Sequence, residues 1–291
     1  IPTALIARRL VEPSQARRAA IVAALLLAVN YLHGRDSHFG VPDATLAFAL
    51  AWSVWAVVRF NEDGEQRHAL LAGLFAGVAI AVKWTGLFML PVLGCSLVFA
   101  AWRRRREGRD IRAPVIFASL AAACVAFLAL DPHVVTEPSE TFQGLLSHQM
   151  RYESASASHT QDPRLDLGHG IYFHTLVTLP IACGWLGLGA ALFGLGCSLR
   201  RKTAAAWTCL LFLTFLYGVA LGPTRMLWVR YCMPVIPVVV ALAAAGLIEA
   251  ACMLTRNGSR PAFQSVVLAG LVLAAAGPPA GRLAAIDRLL T

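Results

Sequence analysis

Long apolar runs alternate with short charged or Pro/Gly-containing segments along the whole chain. Most runs approach the roughly 20 residues that a helix needs to cross a bilayer, and lipid requires each backbone polar group to be paired within its own segment. The pattern predicts an all-α, polytopic transmembrane bundle, a single domain over residues 1–291, with an external loop at 131–170 that contains short interfacial helices. We predict about nine spans, at 19–32, 43–60, 69–82, 84–102, 113–130, 171–199, 203–221, 231–254 and 262–278.

The composition excludes the soluble and disordered classes. Hydrophobic residues make up 58% of the 291 positions and charged residues only 14%, whereas soluble domains carry about 25% charged residues. All seven cysteines lie in apolar runs, which argues against a disulfide framework. The sequence has no C-x-x-C pair or H-E-x-x-H motif. A divalent metal is conceivable, but no specific ligand motif supports one, so the cofactor is left unknown.

The net charge of +9 is explained by membrane topology. If the N-terminus is cytoplasmic, 17 of the 25 Lys and Arg residues fall on the inner side, including the cluster Arg103–Arg106. This satisfies the positive-inside rule. The inner loops are short, so we expect no nucleic-acid partner.

Acidic and imidazole side chains are concentrated on the opposite, external side. Six of the eight histidines lie there. A membrane enzyme with an external site would show this skew, but exclusion of basic residues from these loops explains it equally well. The external segment 33–42 and the start of the next span supply the catalytic candidates Asp36, His38 and Asp43, a set suited to proton transfer. The simpler readings are that Asp43 stabilises a helix N-terminus and that Asp36 pairs with Arg35.

Cations at the external ends of other spans are candidates for binding a lipid-borne phosphate. Lys83 is the only charge near its position, and its simpler reading is snorkelling beside Trp84. The other donor-phosphate candidates are Arg225, Arg230 and Tyr231, whose simpler role is interfacial anchoring. In the long loop, a short amphipathic helix is predicted from Phe142 onward, and the candidate contacts there are His133, His148 and Arg151.

Four segments follow one another in a characteristic order. They are Asp36-Ser37-His38-Phe39-x-x-x-Asp43, Gly73-Leu74-x-x-Gly77-x-Ala79-x-Ala81-x-Lys83-x-Thr85-Gly86, Asp131-Pro132-His133 followed by 142–152, and Arg230-Tyr231-x-x-Pro234-x-x-Pro237. Together they resemble the C-type membrane glycosyltransferases, especially members similar to dolichyl-phosphate-mannose protein mannosyltransferases and aminoarabinose lipid A transferases. The resemblance covers most of the chain, and each motif alone is degenerate.

The resemblance implies an enzyme of the hexosyltransferase type. It would transfer a sugar, with inversion, from a polyprenyl-phosphate donor to a protein, lipid or glycan acceptor. By resemblance, Asp43 occupies an acidic family position and His38 a neighbouring polar one. Lys83, Arg225 and Arg230 are phosphate candidates by charge and side. The implied location is multi-pass in the cell (inner) membrane, among its lipids, with a periplasmic or extracellular active face.

One departure affects this interpretation. Nothing in residues 1–18 matches the acidic motif that the family carries in its first external loop, so we expect an N-terminally truncated member. Activity is then expected of its full-length parent rather than of this fragment. Two alternatives remain: a transporter or flippase for a lipid-linked sugar, and a non-catalytic membrane scaffold. The lack of a convincing internal repeat and the outer-edge position of the ionisable residues favour the enzyme.

Overall fold

The computed structural model describes residues 1–106, 113–144, 147, 169–223, 228–255 and 261–290, and within these ranges it contains helices and no strand. The all-α prediction is confirmed. The helices are α1 (Pro2–Leu10), α2 (Ala16–Ala28), α3 (Tyr31–His38), α4 (Pro42–Asp63), α5 (Gln66–Val82), α6 (Met89–Arg106), α7 (Ala113–Leu130), α8 (His133–Thr136), α9 (138–144), α10 (Gly170–Phe173), α11 (Leu179–Arg200), α12 (Ala204–Phe212), α13 (Ile236–Leu254) and α14 (Pro261–Leu290).

Tighter and wider turns extend several of these helices. A 3₁₀ helix at Trp84–Phe88 leads into α6, and another at Val229–Val235 leads into α13. A π-helical segment, His174–Thr178, joins α10 to α11, and a second one, Leu213–Leu221, continues α12. Such irregular turns in apolar helices often occur near functional sites.

Six helical stretches in the described residues are long and apolar enough to cross a membrane, so a polytopic bundle is confirmed. A seventh span results if α2 and α3, which meet at a bend of 54°, are counted as one broken crossing. Two shorter apolar helices, Gln66–Val82 and Pro114–Leu130, complete the set. Each of the nine predicted runs coincides largely with helical structure, and the number of complete crossings stays a prediction. The six stretches are Pro42–Asp63, Trp84–Arg106, Gly170–Arg200, Ala204–Leu221, Val229–Leu254 and Ala262–Ala285.

Helix α13 lies at the centre of the bundle and α14 at its edge. In the most apolar 18-residue segment of the stretch containing α13, 83% of the residues are buried. In the corresponding segment of α14, only 11% are buried. Helices α1, α2, α4 and α11 pack around α13. The short α1 contributes Thr3, Ile6, Ala7 and Leu10 to this core, and their spacing of three and four residues places them on one helical face. The sequence analysis predicted no span in this segment, since its first apolar run begins at residue 19.

Helices α5 and α7 approach closely through small residues, as the Gly73-x-x-x-Gly77 spacing suggests. A methyl group at Gly73 would collide with the backbone carbonyl of Ser119, and one at Gly77 with that of Ala123. The Ser119 hydroxyl donates to the Ala69 carbonyl at 2.6 Å, which adds an interhelical hydrogen bond. Gly194 and Gly246 make a similar contact between α11 and α13.

We predict that Gly73→Ala destabilises the protein by about 1–3 kcal/mol, because the added methyl group must force two helix backbones apart. Gly94→Ala in α6 is the matched control, since a methyl group there meets nothing within 4 Å. Alanine should be neutral or mildly stabilising at that position. Thermal unfolding of both variants in detergent tests this, and equal stability of the two would contradict the close packing.

Candidate functional site

The N-terminus of α4 positions Asp43. Pro42 occupies the first helical turn, where its fixed φ suits the helix, and Asp43 follows it. The helix is N-capped by Val41 without a side-chain hydrogen bond, so Asp43 is not the capping residue. Its side chain is only 2% exposed and accepts a hydrogen bond from Lys83 Nζ, with 2.6 Å between Nζ and Oδ1. The acidic side chain near the helix N-terminus is therefore primarily the partner of a distant lysine.

Lys83 lies at the break that ends α5. Its backbone is extended, with φ −162° and ψ 135°, and the chain then turns into the 3₁₀ helix Trp84–Phe88. Its side chain is 26% exposed. The ammonium also lies 4.4 Å from the ring centroid of Tyr231, a cation–π distance. A carboxylate on one side and an aromatic face on another thus hold the lysine, so snorkelling alone does not describe it.

Arg230 and Tyr231 come from the 3₁₀ helix before α13. The Arg230 guanidinium lies 5.1 Å from the Trp228 ring centroid and 5.7 Å from that of Tyr231. Tyr231 is therefore close to both Lys83 and Arg230. The anchoring expected among Arg230, Trp228 and Tyr231 is present, and the same contacts place a second cation beside the ion pair.

Asp36 is buried on α3 and forms an ion pair with its neighbour Arg35. Its carboxyl oxygen Oδ1 accepts from Arg35 Nε at 2.7 Å and Nη2 at 2.6 Å, so the local ion pair is observed. The side chain is 4% exposed, and within the described residues Oδ2 is buried without a hydrogen-bond partner. The charges of Asp43 and Arg230 both act on this carboxylate, repelling and attracting it respectively. Asp36 therefore belongs to the same electrostatic neighbourhood.

His38 does not join this group. The sequence analysis took 33–42 as an external loop, but residues 31–38 form α3. Because helical residues two apart point about 200° away from each other, the burial of Asp36 turns His38 outward. His38 is exposed, and its imidazole meets Phe39 edge-on at 6.1 Å.

The described start of the predicted external loop contacts Trp84, the neighbour of Lys83. The Trp84 ring lies 5.7 Å from Phe127 and 6.2 Å from Phe142 of α9, measured between centroids. His133 is exposed, with Nδ1 3.9 Å from a carboxyl oxygen of Glu137, and it has no observed contact with the ion pair. The remaining predicted site residues, Arg225, His148 and Arg151, lie outside the described residues.

The cluster at this end of the bundle thus comprises Asp36, Asp43, Lys83, Arg230 and Tyr231, here called the charged cluster. Both cations lie over the ring of Tyr231, Asp43 pairs with Lys83, and Asp36 is within electrostatic range of Asp43 and Arg230. A carboxylate can accept a proton from a hydroxyl group, and the cations suit a phosphate. Among the described residues, no group of three or more His, Cys, Asp or Glu side chains is arranged to hold a metal ion.

Sequence reasoning missed how these residues pair. It assigned Asp43 and Lys83 to different roles, although they form a single ion pair across 40 residues of sequence. The sequence did offer one indication of the pairing: each residue is an isolated charge at the end of an apolar helix, and the predicted topology places both ends on the same side of the membrane. It also passed over Asn30, which is 2% exposed and sits at the bend between α2 and α3.

Residues 1–135 match the family described as dolichyl-phosphate-mannose-protein mannosyltransferase. That range contains Asp36, Asp43 and Lys83. The chain is also 29% identical to a polyprenol-phosphate-mannose protein mannosyltransferase of Corynebacterium glutamicum, in an alignment that covers 35% of this chain and 24% of the relative. Both findings support a mannosyltransferase-type membrane glycosyltransferase. The alignment therefore spans about a quarter of the relative's length.

A second similarity is shorter. The chain is 42% identical over 55 residues to the prostaglandin E2 receptor EP1 subtype of Rattus norvegicus, which covers 19% of this chain and 14% of the receptor. The corresponding receptor of Mus musculus gives the same identity and coverage. So short a stretch carries no functional argument here. No solved structure matches the chain significantly.

The ion pair makes a prediction about stability that is independent of activity. Lys83→Met should destabilise the protein by about 1–3 kcal/mol, because it leaves a buried carboxylate without its counter-charge, while the partial exposure of the lysine limits the loss. Adding Asp43→Asn to Lys83→Met should restore part of this stability. Thermal unfolding of both single variants and the double variant measures the coupling, and strictly additive effects would show that the contact contributes nothing.

Proposed function

We propose that the protein transfers a sugar from a polyprenyl-phosphate donor to a hydroxyl group of an acceptor on the external face of the membrane, with inversion. The name of the Corynebacterium relative suggests mannose as the sugar and a protein as the acceptor. The observation that carries the proposal is the charged cluster, in which Lys83 contacts both Asp43 and Tyr231. The family match over residues 1–135 supports it independently.

The proposed reaction is a single displacement. The acceptor oxygen attacks the anomeric carbon from the side opposite the phosphate, a new carbon–oxygen bond forms, and the bond from the anomeric carbon to the phosphate oxygen breaks. The bonding electrons stay with the polyprenyl phosphate, and the hydroxyl proton passes to a carboxylate. Lys83 and Arg230 would stabilise the departing phosphate, whose charge increases in the transition state.

Two carboxylates are available for the proton, and they differ in their contacts. Asp43 Oδ1 is engaged by Lys83, so a phosphate that binds this lysine would compete with Asp43 for it. Asp36 is held through Oδ1 only, and its Oδ2 has no partner within the described part of the chain. Asp43 is our first candidate, through its place in the family-like segment, and Asp36 is the second.

The test is transfer of labelled mannose from polyprenyl-phosphate mannose in membranes that contain the full-length protein. Asp43→Asn should lower the rate about 10²–10⁴-fold if it removes the general base, and Lys83→Gln should raise the donor KM and lower kcat. Glu140→Gln is the control, because Glu140 is an exposed external acid outside the charged cluster.

The outcomes distinguish the candidate roles. Undiminished transfer by Asp43→Asn, with a large loss in Asp36→Asn, would move the role of base to Asp36. Undiminished transfer by both variants would overturn the charged cluster as the reaction site. Movement of the lipid-linked sugar across vesicles that lack any acceptor, without transfer, would favour a flippase instead.

The orientation has its own prediction. If the charged cluster faces outward, Ser139→Cys should react with a membrane-impermeant maleimide in intact cells, whereas Gln66→Cys should react only after permeabilisation. Both positions are exposed and lie at opposite ends of the predicted topology. The seven native cysteines supply the background, which wild-type protein measures. The reverse labelling pattern would place the charged cluster on the cytoplasmic side.

A further inference from the structure

The stretch Gly170–Arg200 is broken at Gly184. This residue has φ 71° and ψ 159°, a backbone conformation that essentially only glycine adopts. A break in an apolar helix releases carbonyl groups that lipid cannot satisfy. Arg282 Nη1 donates to two of the carbonyls beside the break, Pro180 at 3.2 Å and Ile181 at 2.6 Å. Asn30 Nδ2 donates to the next one, Ala182, at 2.9 Å.

A groove of about 460 Å³ opens beside this break, between α11 and α14. Its walls are mainly apolar, and among the described residues that line it Arg282 is the only charged one. The other lining residues include Leu176, Ile181, Trp185 and Pro278. The volume lies within the range of pockets that hold small organic ligands.

The groove faces the surroundings of the bundle. Trp185 is 63% exposed and Leu176 52% exposed. Helix α14 forms the opposite wall, and only 11% of the residues in its most apolar 18-residue segment are buried. For a helix of this hydrophobicity the surrounding medium is lipid. An exposed tryptophan beside an arginine is typical of the level at which acyl chains meet headgroups.

Arg282 retains donors for a further ligand. Both of its hydrogen bonds use Nη1, and among the described residues Nε and Nη2 have no acceptor. A guanidinium carries five N–H groups in a planar fork that matches the oxygens of a phosphate. Within the described part of the chain, no acidic residue lines the groove to neutralise this charge.

We propose that the groove binds an anionic phospholipid, with one acyl chain along the apolar walls and the phosphate on Nε and Nη2 of Arg282. The charge of Arg282 selects an anionic lipid over a zwitterionic one, because an ammonium group in the headgroup would offset the attraction. The proposed donor phosphate is assigned to Lys83 and Arg230, neither of which lines this groove. The proposed lipid site can therefore be tested independently of the proposed transfer reaction.

The experiment counts the lipids retained by purified protein, by native mass spectrometry after exchange into mixed micelles of phosphatidylglycerol and phosphatidylcholine. Wild-type protein should retain phosphatidylglycerol preferentially. Arg282→Gln should weaken this retention about tenfold, because the glutamine NH2 group can still donate to the freed carbonyls but carries no charge. Arg288→Gln, which removes the same charge from an exposed position on the same helix, should retain the lipid as wild type does.

Four results would overturn the proposal. Equal retention of the two lipids by wild-type protein would remove the role of charge, and equal losses in Arg282→Gln and Arg288→Gln would indicate a general surface effect. Displacement of phosphatidylglycerol by a small amount of polyprenyl phosphate would identify the groove as a carrier-lipid site. If Arg282→Gln fails to fold, Arg282→Lys, which keeps the charge, should retain the preference, and loss of the preference there would also contradict the site.

Discussion

The constraint behind this structure is that lipid offers no hydrogen bonds to a broken helix. Backbone groups freed at a break must find partners in the protein itself. The chain breaks its helices near one end of the bundle, between α2 and α3 and at Gly184, and the freed groups meet Asn30 and Arg282. Polar side chains are therefore needed at that end for folding alone. The charged cluster lies at the same end of the bundle. Helix α3, which carries Asp36, is in contact there with α14, since Gly34 packs against Leu283, the neighbour of Arg282.

The charged cluster uses burial and pairing together. A carboxylate that is 2% exposed is tolerated when a cation lies within hydrogen-bond distance, and Lys83 supplies that cation for Asp43. The Tyr231 ring contacts the ammonium as well. Three segments far apart in sequence thus fix the position of a single positive charge. Such preorganised charge is what stabilisation of a departing phosphate requires, since little rearrangement is then needed during the reaction.

The sequence predicts the apolar helices well and their irregularities poorly. The run 113–130 coincides with α7, and 84–102 lies within Trp84–Arg106, because hydrophobicity over such a length has one stable solution in lipid. Helix α3 was missed because its residues are mostly polar, and only the surrounding helices bury Asp36. The break at Gly184 was missed because glycine in an apolar run also fits close helix packing. The hydrophobic pattern of the sequence does not show whether a glycine has a positive φ.

The sequence was sufficient to predict which residues belong to the candidate site, but not which of them contact each other. Asp43 and Lys83 stand out as lone charges at helix ends, but their pairing depends on the rotation of α4 and α5 about their axes, which packing in the whole bundle sets. The choice between Asp36 and His38 likewise depends on which face of α3 turns inward.

The distribution of charge along the helices also bears on the choice between an enzyme and a transporter. Transporters commonly carry their binding groups near the middle of the membrane, on interrupted helices. Here α4 has no charged residue between Asp43 and Arg59, and α11 has none before Arg200. Asp43 lies in the first turn of one helix, Lys83 follows the end of another, and Arg230 lies in the first turn of the 3₁₀ helix before α13. Charge on these helices is thus held at their ends, while their apolar middle offers no comparable group that could carry a phosphate across.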